Sequence, residues 1–190
     1  MDAFLLSLML CLLVESASET PRLAWALRQR YNHSLGVTLG VMLGLGANAA
    51  VAAVAGKMIA GMLTSEARDL FFAFALGAAG LGLMFRARRV DRLAGWKLGA
   101  FLTSALGFFI LGFGESASFL IAGIAAARAD PWMAAVGGGA GTMIACLVLP
   151  HIVETQTRLS MTWVKASRIG AAIMLMLAAF FVAMGALRLL

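Results

Sequence analysis

The sequence is poor in charge. Only 13% of its 190 residues are Asp, Glu, Lys or Arg, whereas 62% are hydrophobic, and the mean hydropathy is +0.94. A water-soluble domain needs more polar surface than that. Cysteine is scarce as well, and Cys11 and Cys146 both sit in apolar runs. That argues against a structural disulfide and leaves the redox compartment open. The apolar runs are continuous rather than alternating every second residue, which favours helices over a membrane β-barrel. No basic segment precedes the first apolar run, and that run leads into Glu15 rather than a small-residue cleavage site. A retained span is therefore expected there, not a signal peptide.

What the sequence does have is long apolar runs, each approaching the roughly 20 residues that cross a bilayer as a helix. Six spans are predicted, at about 3–27, 34–61, 69–86, 98–127, 132–152 and 169–189. The expected fold class is an all-α membrane protein, with six transmembrane helices arranged as two inverted three-helix repeats. Residues 1–90 form the first repeat, 91–97 a basic cytoplasmic linker and 98–190 the second repeat. The connections are too short for a separate soluble domain.

Net charge is +6, yet the cations lie mostly between apolar runs, so topology explains them and nucleic acid is not an expected partner. The loops after spans one, three and five hold 11 of the 15 Lys and Arg, including Arg22, Arg28, Arg30, Arg86, Arg88, Arg89, Arg92 and Arg158. The positive-inside rule then puts both termini outside the cytoplasm, in the periplasm of a bacterial inner membrane.

The chain also repeats itself. Glu15-Ser16-Ala17-Ser18 returns as Glu115-Ser116-Ala117-Ser118, in the first span of each half. Gly40-Val-Met-Leu-Gly44 corresponds loosely to Gly138-Gly-Ala-Gly141, and the halves end alike at Gly82-Leu-Met-Phe-Arg86 and Met184-Gly-Ala-Leu-Arg188. Three spans per half is an odd number, so the second copy is inverted. Secondary transporters are often built this way, with the substrate site at the midplane.

Two residues carry the chemistry. Glu115 is the only charge in the run from Leu98 to Ala127, so it falls deep in the membrane. An acid there normally faces a cavity, a partner or a cation. The plainer alternative is a protonated Glu hydrogen-bonded between helices. Glu15 is its counterpart, and Pro21 is a candidate kink just beyond it. Glu19 shares the face of Glu15 and either adds a ligand or pairs with Arg22 or Arg28. Ser16, Ser18, Ser116 and Ser118 surround the acids with hydroxyls, which suit hard cations or simply allow close packing. Two acids sharing a site titrate as a coupled pair, which suits exchange of a cation for protons. Asn48, Thr142 and the His151/Glu154 pair are further polar residues within spans; the last reads best as an interfacial salt bridge. His33 carries no signal.

On these residues the chain resembles the calcium/manganese–proton antiporters of Golgi, chloroplast and bacterial membranes. In that family two inverted three-span halves each carry an E-x-G-D-[KR]-[ST] motif. Glu15-Ser-Ala-Ser-Glu-Thr20 matches it at Glu15 and Thr20, and Glu115-Ser-Ala-Ser-Phe-Leu120 at Glu115; Ser18 and Ser118 replace the two Asp. The Leu-Ala-Trp-Ala-Leu-Arg28 segment, the glycine-spaced second span and the basic central loop extend the likeness over essentially the whole chain. The resemblance implies a cation/proton site at Glu15, Ser18, Glu19, Glu115 and Ser118, and a transported cation such as Mn²⁺ or Ca²⁺ rather than a resident cofactor. With fewer carboxylates, divalent cations should be held more weakly. The expected partners are an inorganic cation, protons and the lipid bilayer, with a homodimer as an open assembly. Two alternatives stand beside export: a non-transporting paralogue, and an intramembrane serine hydrolase using Ser116 and His151, an arrangement similar to rhomboid proteases.

Overall fold

The computed structural model describes residues 2–18, 20–32, 34–85, 93, 95–128, 130–155 and 161–187, as backbone alone at 34, 149–155 and 161–167. Within them the chain is all helix: α1 (Asp2–Ser16), α2 (Thr20–Tyr31), α3 (Ser34–Ala60), α4 (Ser65–Met84), α5 (Gly99–Gly112), α6 (Ser116–Ala127), α7 (Pro131–Thr155) and α8 (Met161–Ala186). Four of these, α3, α4, α7 and α8, are long and apolar enough to cross a membrane; the number rises to six if each bent pair is one span. The outer surface is compatible with this. Leu39, Leu43, Phe74, Val136, Leu177 and Phe181 are among many large apolar side chains left exposed, which suits lipid and not water.

The expected first and fourth spans are not continuous helices. α1 and α2 meet at 68°, and α5 and α6 at 62°. The causes are local. Pro21 has no N–H to continue the α1 ladder and sits in the first turn of α2, where that donor is not needed. At the other break, Phe113, Gly114 and Glu115 donate backward to Ile110, Leu111 and Gly112 carbonyls, tightening the end of α5 into a turn before α6 starts.

Close packing depends on glycines spaced by four. A Cβ on Gly40 or Gly44 of α3 would come within 2.5 Å of the Phe101 or Ala105 carbonyl oxygen of α5. Gly137 and Gly141 of α7 lie in the same way against the Phe4 and Leu8 carbonyls of α1. Such contacts bring backbones together as small residues do in membranes. They also set direction, since α3 runs parallel to α5 and α7 parallel to α1. α1 and α6 are antiparallel, because Glu15 lies near Glu115 and Cys11 Sγ lies 3.8 Å from the Ala117 oxygen. α4 and α8 pair antiparallel too, and Arg168 of α8 donates to the Leu83 and Phe85 carbonyls that end α4.

The core forms two apolar clusters. One gathers Val14, Ala49, Ala53, Leu120, Ile121 and Ala134, and the other Leu27, Val41, Leu45, Phe108 and Cys146. α3 and α7 contribute to both clusters, and each bent pair gives one helix to each. The level between them contains the breaks, and with them the polar residues.

Candidate functional site

Glu15 lies in the last turn of α1 and is buried, 1% exposed. Glu115 is the residue that precedes α6 and is only partly buried. The helix breaks explain how the two meet. Each ends a helix pointing into the bundle, and the antiparallel run of α1 and α6 brings the two ends to one level. The two acids line the same small cavity. Ser18 Oγ donates to Glu15 Oε2 at 2.5 Å, and Thr20 Oγ1 donates to Glu115 Oε1. The Thr20 backbone N–H is in turn held by Ser18 Oγ at 3.1 Å. Ser18 and Thr20 thus tie together acids 100 positions apart.

The acids open on a small cavity of about 10 Å³, room for roughly one water molecule. Its polar lining is Glu15, Asn48, Gly112, Glu115, Ser118 and Thr142; Leu45, Ala49, Ala117 and Ile121 close it. Asn48 is the fifteenth of 27 residues in α3 and Thr142 the twelfth of 25 in α7, so the cavity sits halfway along the long helices. Asn48 Nδ2 donates to the Phe109 carbonyl at 3.2 Å, while Ser118 Oγ lies against both Asn48 Oδ1 and, at 2.6 Å, the Gly112 carbonyl. Thr142 Oγ1 donates to the Gly139 carbonyl at 2.9 Å.

No protein-family model, curated protein or solved structure matches this chain. The site is therefore read from its own chemistry.

Of the residues expected from sequence, Glu15, Ser18, Glu115 and Ser118 converge. Glu19 lies outside the described residues, as do Arg86, Arg88, Arg89, Arg92, Arg158, Arg188 and His33; the side chains of His151 and Glu154 do too. Ser16 and Ser116 point elsewhere: Ser16 is exposed and donates to the Leu13 carbonyl, and Ser116 faces Gly82 of α4. The two copies of the repeat are also not in strict register. Glu15 precedes its break, whereas Glu115 follows its own, and glycine packing aligns Gly40 and Gly44 with Gly137 and Gly141. Asn48 and Thr142 stand out in the sequence only as isolated polar residues in apolar runs. Thr20 stands out only as the last residue of the degenerate motif.

Among the described residues no three His, Cys, Asp or Glu side chains cluster as a metal site. Any ion here would be held by two carboxylates with hydroxyl, amide and carbonyl oxygens. That donor set suits hard cations, and among the described residues no thiol or imidazole, which favour softer metals, lines the cavity with it.

Proposed function

We propose that this chain is a secondary transporter of the inner membrane that exports a hard cation, Mn²⁺ or Ca²⁺, in exchange for protons. The observation that carries this reading is the meeting of Glu15 and Glu115 at two opposed helix breaks, halfway along the bundle and beside a cavity of one-water size. Unwound segments at this depth are tolerated where they line a cavity, and discontinuous helices at the midplane form the substrate sites of many secondary transporters.

The proposed cycle uses both acids in turn. With two protons, or with one divalent cation, the pair has no net charge, so either load crosses the membrane without leaving a bare charge in hydrocarbon. The empty, doubly ionised pair is the costly state, which couples the two fluxes. Ser18 and Thr20 donate to the carboxylates when the protons leave, and Ser118 completes the shell.

The proposed architecture is an inverted repeat of three spans, with both termini in the periplasm. Support comes from the packing: each half begins with a broken span, α1 lies on α7 as α5 lies on α3, and the glycines serving the two contacts share their spacing. Rocking of one half against the other would then open the cavity to either side.

The test is flux in proteoliposomes loaded with a pH-sensitive dye. Mn²⁺ or Ca²⁺ should drive proton movement in the wild type, with at least a hundredfold loss in Glu15→Gln and Glu115→Gln. Wild-type exchange by either variant, shown to be folded, would sink the proposal.

A further inference from the structure

Among the described residues, Leu93 is the one buried member of either apolar cluster that lies outside a helix. Its backbone is left-handed, with φ +51°, a conformation that a leucine keeps only where its surroundings over-determine it. The side chain fills a notch in α5, since a Cβ on Gly107 would overlap Leu93 Cδ1. The main chain is tied from α2. Arg30 Nη1 donates to the Leu93 carbonyl at 2.7 Å, and Arg30 Nη2 to the Trp96 carbonyl at 3.1 Å. The Trp96 N–H donates back to the Leu93 carbonyl at 3.0 Å. Tyr31 Oη lies 3.3 Å from the Trp96 carbonyl and 3.1 Å from Thr103 Oγ1 of α5, and the Arg30 guanidinium sits 5.0 Å from the centre of the Tyr31 ring.

These contacts join what the inverted-repeat reading separates. Arg30 and Tyr31 belong to the first half, Thr103 and Gly107 to the second, and Leu93 and Trp96 to the link between them. They also cover one side of the site. Leu45 lines the cavity and packs in the cluster that Leu93 completes, together with Val37, Val41 and Phe108. Gly107 comes five residues before the cavity-lining Gly112, about 7.5 Å along α5. Leu93 is thus the outer layer of an apolar seal whose inner layer is the cavity wall. Its fastening can be undone. Arg30 is exposed, so water can take over its bonds to the two carbonyls at little net cost, and leaving the left-handed conformation relieves strain. Core filling alone requires neither feature.

We propose that Leu93 is the latch of a gate. Seated in the Gly107 notch and held by Arg30 and Tyr31, it closes the side of the cavity that faces the cytoplasm in the proposed topology. Its release lets water and the cation reach Glu15 and Glu115 from that side. Rocking of the halves would draw α2 away from α5 and so withdraw Leu93 from its notch. The latch rests on the transport reading for its purpose, while the closure belongs to the fold and is measurable without transport.

The native thiols report on the gate, because Cys146 is 1% exposed in the cluster behind Leu93 and Cys11 is buried in the other cluster. Reaction with a water-soluble maleimide is timed on detergent-purified full-length protein, for Cys146 in a Cys11→Ser background and for Cys11 in a Cys146→Ser background. We expect Leu93→Ala to speed Cys146 at least tenfold and Arg30→Gln at least threefold, with Cys11 within twofold of its starting rate. Gly107→Ala, which crowds Leu93 out of the notch and leaves the link untouched, should speed Cys146 as well. Should Leu93→Ala fail to fold, Arg30→Gln, changed at an exposed side chain, carries the test. Cys146 rates within twofold of wild type would overturn the latch, and so would equal acceleration of both thiols, the mark of a generally loosened fold. The same variants are assayed for Mn²⁺-driven proton movement in proteoliposomes, where a gate that no longer closes should cost at least threefold in exchange. Exposed Cys146 with exchange unchanged would overturn the gate. Protected Cys146 in every variant, with flux in wild type, would overturn the latch and leave the transporter standing. Exposed Cys146 in a chain whose wild type moves no ion would support the closure and refute transport.

Discussion

Replacing Gly112 by Ala tests whether the fourth-span break is held by the side chains that pack on it. The new Cβ would lie 2.7 Å from Asn48 Cγ and 2.8 Å from Nδ2. Carbon atoms rest about 3.5–4.0 Å apart, so the amide must retreat by roughly 1 Å. Its bond to the Phe109 carbonyl is already 3.2 Å long, and a shift of that size takes it beyond hydrogen-bond reach. A buried amide and carbonyl left unpaired cost about 1–3 kcal/mol. Crowding in a packed core costs a further 1–3 kcal/mol or so, and the two partly overlap because the same movement relieves one and causes the other. A loss of about 2–4 kcal/mol is expected, or a fall in Tm of roughly 5–15 °C for a chain of this size. The assay is thermal denaturation of detergent-purified protein, with Gly170→Ala as control because a Cβ there meets nothing within 4 Å. A Gly112→Ala variant that melts within 2 °C of wild type would refute the reasoning, since Asn48 would then be free to move at no cost.

Three further outcomes are expected. In a background without Cys11 and Cys146, Glu115→Cys should react with a water-soluble thiol reagent at least tenfold faster than Glu15→Cys, because Glu115 is partly exposed and Glu15 is 1% exposed; equal rates would mean that the cavity does not open on the Glu115 side. If one divalent cation exchanges for two protons, a 100 mV potential imposed on proteoliposomes should change the rate less than twofold. Net movement of one charge would respond to about 2.3 kcal/mol, close to fiftyfold, so a strong voltage dependence would exclude the neutral pair. Arg168→Met removes the donor to the Leu83 and Phe85 carbonyls; since that group is partly exposed, the loss should be about 1 kcal/mol, read as a fall in Tm of a few degrees with cation affinity unchanged.

The sequence by itself determined the features that depend on composition and on single residues. Low charge and long apolar runs specify helices that are compatible with a membrane whatever their arrangement, because an unpaired backbone cannot face lipid. Isolated acids in such runs draw attention for the same reason, and Glu15 and Glu115 were legible without any structure. Pro21 also announced a kink. What the chain could not disclose is which side of each helix faces inward. Helices that are apolar all round carry no periodic signal of a buried face, so nothing distinguished Ser18 from Ser16, or gave Asn48 a role.

Only the tertiary structure decided those points. The break in the fourth span needs two elements at once, a glycine-flanked turn in one helix and the Asn48 amide of another lying against it. The meeting of the acids needs α1 and α6 to run in opposite directions, which the glycines of α3 and α7 impose from a distance by seating α5 and α1.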